Sequence, residues 1–312
     1  MRLLVVGAGS TGGYFGGRLA QAGRDVTFLV RPPRAARLRE RGLEIRSPHG
    51  DVTLQPRLLT AAEIGGGTAQ PFDAILLTVK GYMLESAMDD FAPAVGPETM
   101  ILPVLNGMRH VDRLKARFGG AALGGCLCKC ATTLDEEDRI VQLSGLQELA
   151  YGEMDGRSSA RMQALDAFMT NAGFDARLSP VIEREMWEKW LLLASMGAVT
   201  CLMRGTVGEV EAAPGGRDFI LAVIDEVQTI ISTVGMPPRE TTIEAVRALL
   251  TTKGSPQTSS MYRDLQNGRP VEGDEIIGDL VKRGRDAGIA APLLAAANIH
   301  LGVYSSRQGG CR

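Results

Sequence analysis

Apolar residues follow two rhythms along this chain, and the change between them divides it. Leu3 to Val6 is a short apolar run, after which Tyr14, Phe15, Leu19 and Ala22 recur at helical spacing, so a strand is followed by a helix. Asp25 to Val30 reads as a second strand. Val52 to Leu58 alternates apolar and polar positions as one strand, and Gly65-Gly66-Gly67 marks a loop. Asp73 to Lys80 and Met100 to Leu105 run without alternation, as strands buried on both faces of a parallel sheet do. Leu123 to Thr132, Ile140 to Leu143 and Glu148 to Tyr151 read as three more strands, interrupted by the acidic turn Asp135-Glu136-Glu137-Asp138. Their short connections predict an antiparallel extension of the same sheet. Ser158 to Ala172 reads as a helix and Phe174 to Leu178 as an edge strand. Past Ser179-Pro180 the patterning is almost wholly helical, beginning with Val181 to about Met203 and including a helix from Ile276 to Ala287. The pattern predicts an α/β domain over residues 1–179 and an all-helical domain over 180–312.

Between the first strand and its helix stands Gly7-Ala8-Gly9-Ser10-Thr11-Gly12. Glycine-rich turns are common and many bind nothing. This one ends a strand, opens a helix and precedes a second strand, which is the setting of the dinucleotide fingerprint and makes the first domain Rossmann-type. Gly7 permits the sharp turn, Gly9 the approach of a pyrophosphate to the backbone, and Gly12 close packing of helix on strand. The leading N–H groups and positive dipole end of the helix face the phosphates. The second strand ends Phe28-Leu29-Val30-Arg31, with Arg34 and Arg37 following and no acid at its tip. An NAD site carries an acid there, whereas a guanidinium pairs with a 2′-phosphate, so Arg31 predicts NADP. Arg39 and Arg41 read as solvated charges on a helix face.

Composition narrows the partners. With 34 basic and 36 acidic residues in 312, the net charge of −2 provides no field for nucleic acid and no polybasic membrane patch. The longest mostly apolar run, Trp190 to Met203, is too short to span a bilayer and reads as a buried helix. No signal peptide precedes the first strand, and five cysteines, an odd number, suit a reducing compartment. The expectation is a cytoplasmic protein. Cys126, Cys128 and Cys130 share one strand face, which cannot easily close around a tetrahedral metal, and read as small buried hydrophobes. His49, His110 and His300 are scattered, so no metal site is expected.

Two strand ends carry polar candidates. Lys80 and Asn106, the latter in Asn106-Gly107-Met108, stand at carboxyl ends of parallel strands, where ligands of open α/β sheets bind. Lys189 is the only basic residue between Arg184 and Arg204, beside a segment that must be buried. It either snorkels to the surface or points into a cleft between the domains. Glu272 precedes a helix, where an acid complements the dipole whether or not it has a further role.

Taken together, these residues resemble the ketopantoate reductase (2-dehydropantoate 2-reductase) family nearly end to end. The marks are Gly7 to Gly12, Arg31, Lys80, Asn106-Gly107-Met108, Trp187-Glu188-Lys189, Ser259-Ser260-Met261, Asp264 and Gly268-Arg269-Pro270-Val271-Glu272. The resemblance implies NADPH-dependent reduction of a 2-oxo acid with Lys189 as proton donor. It places Asn106 and Lys80 near the nicotinamide ribose and substrate, Ser260 on the substrate, Glu272 at the cofactor and a substrate hydroxyl, and the backbone at Ala131 along the cofactor. Ketopantoate reduction to pantoate, for pantothenate biosynthesis, is the first expectation. Leu193, Gly197 and Gln257 stand where the family usually has asparagine, so a different, more apolar 2-oxo acid is the alternative. A non-enzymatic NADP(H) sensor is the reading from another class, and it would need no proton donor. The helical domain leaves room for a homodimer.

Overall fold

The structure, a computed structural model, describes residues 1–65 and 71–309. Gly66 and Gly67 of the expected loop, and the tail from Gly310, lie outside the described residues. The chain divides into two compact units, one of Met1–Leu105 with His110–Ile182, the other of Asn106–Arg109 with Glu183–Arg312.

In the first unit, β1 (Arg2–Val6), β2 (Asp25–Leu29), β5 (Arg57–Leu59), β6 (Ala74–Leu77) and β7 (Met100–Pro103) form a parallel sheet in the order β5-β2-β1-β6-β7. The sheet is entered at β1 and extends to β2 on one side and β6 on the other, so its switch point lies beyond the carboxyl ends of β1 and β6. Ligands of such sheets bind there. β6 and β7 are buried throughout, as their unbroken apolar runs require. The helices of this unit are α1 (Ser10–Gln21), α2 (Pro32–Arg41), α3 (Ala61–Gly65), α4 (Leu84–Phe91), α5 (Arg109–Phe118) and α6 (Ala160–Met169).

A second sheet holds β3 (Leu43–Arg46), β4 (Val52–Leu54), β8 (Gly124–Leu134), β9 (Ile140–Glu153) and β10 (Asp175–Leu178), in the order β10-β9-β3-β4 with β8 antiparallel on β9. Two expectations are corrected here. The run Val52 to Leu58 is two strands in different sheets: Gln55-Pro56 interrupts it, and Pro56 has no N–H to continue a ladder. The three runs between 123 and 151 are two long strands, and they build this second sheet instead of extending the first. An isolated bridge, Ile101 with Leu123, touches the edge of the parallel sheet. The hairpin is irregular at one place, where the register jumps from Cys130↔Gln147 to Thr132↔Gln142: residues 143–146 bulge out of β9, and Ala131 faces them without a register partner.

Helix α1 lies between the two sheets. A Cβ on Gly16 would come within 2.7 Å of Phe28 in the first sheet, and one on Gly13 or Gly17 within 2.4 Å of Ile140 or 2.7 Å of Ile45 in the second. Tyr14 and Phe15 fill the remaining space, and the Tyr14 hydroxyl donates to Gln147 Oε1 at 2.6 Å. Leu3, Val5, Phe28, Leu43, Ile45, Ile140, Leu149 and Tyr151 belong to the same core. Burying each aliphatic or aromatic side chain contributes about 1.5–3 kcal/mol before entropy is counted.

The second unit is helical: α7 (Ile182–Met203), α8 (Val207–Ala212), α9 (Gly216–Val234), α10 (Glu240–Leu250), α11 (Ser260–Gln266), α12 (Asp279–Asp286) and α13 (Pro292–Gly309). Its centre is α9, whose Ile220, Val223, Ile224, Val227, Ile230 and Ile231 are fully buried at helical spacing. The helix expected from Ile276 begins differently. Asp274–Gly278 is a π-turn leading into α12, and such turns concentrate at functional sites.

Candidate active site

The glycine turn has the geometry its sequence requires. Gly7 sits at φ +96°, its N–H bonded to the Leu29 carbonyl at 3.0 Å. The Thr78 hydroxyl contacts the carbonyls of Val6 and Gly7, both at 2.9 Å, and latches β6 to the turn. A Cβ on Gly12 would lie 2.2 Å from the Gly7 carbonyl oxygen and 2.1 Å from Thr78 Oγ1. Gly9 is different, since a Cβ there would meet nothing within 4 Å. Its bareness serves no packing of the protein's own and leaves backbone open to a ligand. Helix α1 then starts at Ser10, Thr11 and Gly12 with no side-chain cap and no acid in its first turn, so an anion suits its leading N–H groups. These residues fit a dinucleotide.

Beside the turn is a cavity of about 220 Å³. Gly7, Ala8 and Gly9 form one side, Leu29, Val30, Val79, Met83 and Leu134 are apolar walls, and Arg31 and Arg34 are its cations, with Asp90 also on its rim. Arg31 is exposed at the N-cap of α2. Arg34, left open by sequence reasoning, is the better held: its Nη2 donates to the Ala8 carbonyl at 3.2 Å and the Asp138 carbonyl at 3.3 Å. Burial lowers its pKa, with the Asp138 carboxylate opposing. Lys80 is half-buried three residues past the end of β6, at the N-cap of a short 3₁₀ turn rather than on the strand itself. Ala131 has no partner in the β8–β9 register, since it stands opposite the bulge of residues 143–146 in β9. Cys126 is buried, Cys128 and Cys130 pack against the core, and burial pushes the Cys130 thiol up to about 12.

The remaining candidates belong to the second unit. Lys189 is half-buried on α7 and forms no ion pair among the described residues. Its neighbours are fixed. Glu188, 6% exposed, accepts from the Arg239 backbone N–H at 2.9 Å and from Nε at 2.8 Å, and Arg239 Nη2 bonds its other oxygen. Burial alone would raise the Glu188 pKa, but those bonds and the Arg239 charge together hold it below the usual carboxylate range. Trp190 Nε1 donates to the Ile276 carbonyl in the π-turn at 2.8 Å. Asn106 is half-buried, and the next residue, Gly107, at φ +78°, packs where a Cβ would be 2.5 Å from the Glu275 carbonyl oxygen. Glu272 is buried two residues before the π-turn. Burial raises the Glu275 pKa, and the Glu272 and Asp274 charges add to this.

The two serines divide their work. Ser259 is the N-cap of α11, its Oγ accepting from Tyr262 N at 3.0 Å and lying 2.8 Å from Thr200 Oγ1. Ser260 is exposed and has no capping task. One turn and two turns beyond Lys189 on α7 come half-buried Leu193 and buried Gly197. A Cβ on Gly197 would stand 2.7 Å from Met261 Cε, with Ile277 Cδ1 at 3.9 Å. Gln257 is exposed. Thr78, Asp138, Met261 and the Glu188–Arg239 pair were not marked as functional by the sequence; each acts through a partner distant in the chain, a signal that local patterning does not carry.

The family described as Ketopantoate reductase PanE/ApbA matches residues 3–156, and its C-terminal counterpart matches residues 181–298. The chain belongs to the ketopantoate reductase family and is an oxidoreductase of that family. An uncharacterized oxidoreductase, YkpB, of Bacillus subtilis (strain 168) is 34% identical over 308 residues, covering 99% of this chain and 100% of the relative. A 2-dehydropantoate 2-reductase of Halobacterium salinarum is 27% identical over 300 residues, 94% of this chain and 95% of its own. The ternary structure of D-mandelate dehydrogenase with NADH and anilino(oxo)acetate covers 99% of this chain and 99% of its own with a TM-score of 0.86; at 19% identity the likeness is one of fold. No helix among the described residues is long and apolar enough to cross a membrane.

Proposed function

We propose that this protein reduces the ketone of a 2-oxo acid to the 2-hydroxy acid with NADPH, Lys189 giving the proton. The observation that carries the reading is Lys189 itself, a cation without an ion-pair partner among the described residues, on a helix whose adjacent Glu188 and Trp190 are both pinned. Bound NADPH supplies the hydride. The carbonyl oxygen then becomes strongly basic and needs a nearby cation and a proton. The Lys189 ammonium polarises the carbonyl, transfers a proton to the alkoxide oxygen and is left as the amine, which regains its proton from solvent. Gly7 to Gly12 hold the pyrophosphate, with the Ala131 backbone alongside. Arg31 receives the 2′-phosphate, Lys80, Asn106 and Glu272 serve the nicotinamide ribose and substrate, and Ser260 binds the substrate. These assignments rest on the resemblance and on the exposure or burial of each residue.

Ketopantoate is the substrate that the family suggests. A second reading is favoured by Gly197, where Met261 Cε fills the space that a side chain would take and Leu193 and Ile277 are apolar neighbours. With no amide at these positions, a substrate hydroxyl loses a partner and an apolar side chain gains contact.

NADPH oxidation by wild type and Lys189→Ala, against ketopantoate and a panel of 2-oxo acids, tests both readings. Loss of about 10²–10⁴ in kcat with NADPH affinity unchanged is the expected result. An unaltered kcat would remove Lys189 as the proton donor, and binding of NADPH without turnover of any oxo acid would favour a sensor.

A further inference from the structure

The acidic turn that joins β8 to β9 reaches back to the arginines after β2. Asp135 closes the turn: its Oδ1 accepts the N–H groups of Glu137 at 3.0 Å and Arg139 at 2.9 Å, and its Oδ2 accepts from Arg139 Nε at 2.7 Å. Asp138 is thereby held at φ +63°, an uncommon conformation outside glycine. In that position Asp138 Oδ2 is 3.5 Å from Arg34 Nη1 and bonded to Arg37 Nη1, while its carbonyl accepts from Arg34 Nη2. Arg34 is the same residue that bonds the Ala8 carbonyl of the glycine turn and lines the cavity beside Arg31.

We propose that Asp138 is a specificity-determining residue for the cofactor, an internal counter-ion that competes with the 2′-phosphate of NADP(H) for Arg34 and Arg37. The proposal rests on the NADPH reading above and concerns how strongly NADPH is preferred over NADH. A 2′-phosphate carries nearly two negative charges at neutral pH, and two guanidinium groups already paired with a carboxylate offer it much less than two unpaired ones. NAD(H) has a neutral hydroxyl at that position and gains nothing from Arg34 and Arg37. Asp138 therefore weakens NADP(H) while leaving NAD(H) untouched, which lowers the ratio between them. Arg31, which forms no ion pair with Asp138 among the described residues, provides the preference that remains.

Calorimetric titration of the full chain with NADP⁺ and with NAD⁺ tests this, using wild type, Asp138→Asn and Glu137→Gln. The last is a control that removes one charge from the same turn, where Glu137 pairs with Arg139 instead of Arg34. Asp138→Asn is expected to tighten NADP⁺ about tenfold, the scale of one partly screened charge pair, with NAD⁺ within about twofold and Glu137→Gln close to wild type. Equal tightening by Glu137→Gln would reduce the effect to net charge and overturn the inference. NADP⁺ binding that is unchanged or weakened in Asp138→Asn, with NAD⁺ binding intact as evidence of folding, would overturn it as well and leave the NADPH reading standing. If wild type binds neither dinucleotide, the reading and the inference fail together.

Discussion

The indole N–H of Trp190 donates to the carbonyl of Ile276 at 2.8 Å, and Trp190 is 1% exposed. Through this bond the helix that carries Lys189 is tied to the π-turn that follows Glu272. Replacing the indole by a phenyl ring removes this buried hydrogen bond between the two elements. Trp190→Phe is expected to lower stability in urea unfolding by about 1–3 kcal/mol. It should also lower kcat, because the bond braces the helix that carries Lys189 against the turn that follows Glu272.

The Glu188–Arg239 pair predicts an acid-sensitive step. The folded carboxyl titrates below its unfolded value of about 4.3, so the pair's contribution is fully present above that pH and is lost as pH falls through the folded pKa. Glu188→Gln should cost about 1–3 kcal/mol at neutral pH, less than a fully buried pair because Arg239 is half exposed. The gap between variant and wild type should narrow once pH falls below the unfolded value and close as pH passes through the folded pKa. Thermal unfolding across pH 3 to 8 reads both, and a constant gap between the curves would show that the pair does not titrate as described.

Gly12→Ala isolates the packing of the fingerprint. The added methyl meets the Gly7 carbonyl and Thr78 Oγ1 at little more than 2 Å, and only one of these belongs to a side chain. Helix and turn must separate, at about 1–3 kcal/mol of strain. Dinucleotide affinity should fall by tenfold or more in a titration, whereas a variant that binds normally would place the phosphates away from this turn.

The Gly197–Met261 contact predicts a coupled change of substrate. Gly197→Asn alone presses on the flexible Met261 tip, and Met261→Ala alone opens a cavity. Together they give the amide room beside Lys189's face of the helix. The double variant should shift kcat/KM toward a hydroxylated oxo acid by about tenfold or more relative to an apolar one, beyond the product of the single effects. Additive single effects would remove Met261 as a determinant of the substrate.

What the sequence made legible is local. Gly7 to Gly12 define their own backbone, and the uninterrupted apolar runs of β6 and β7 admit only a doubly covered sheet. Val52 to Leu58 was misleading because alternation reports exposure along a segment but not which sheet it joins; Pro56 was the only sign of a break. Residues 140 to 151 read as two strands because residues 143–146 interrupt the alternation; they bulge out of β9, and the same strand resumes beyond them. The Asp138–Arg34 and Gly197–Met261 contacts span 104 and 64 residues. The sign of Asp138 and the smallness of Gly197 were visible, but their partners come from the fold.

Helix α1 has four glycines in twelve residues, each about 1 kcal/mol less helix-favouring than alanine. As an isolated segment it would be disordered. Its helix is therefore imposed from outside by the two sheets that enclose it, and the anion-binding end of α1 exists only once both walls are in place. On the reading proposed above, the cradle for the nucleotide therefore depends on the packing of both sheets around α1. A bound dinucleotide consequently stabilises the whole first unit cooperatively, and the concentration dependence of its melting temperature becomes a direct gauge of nucleotide affinity.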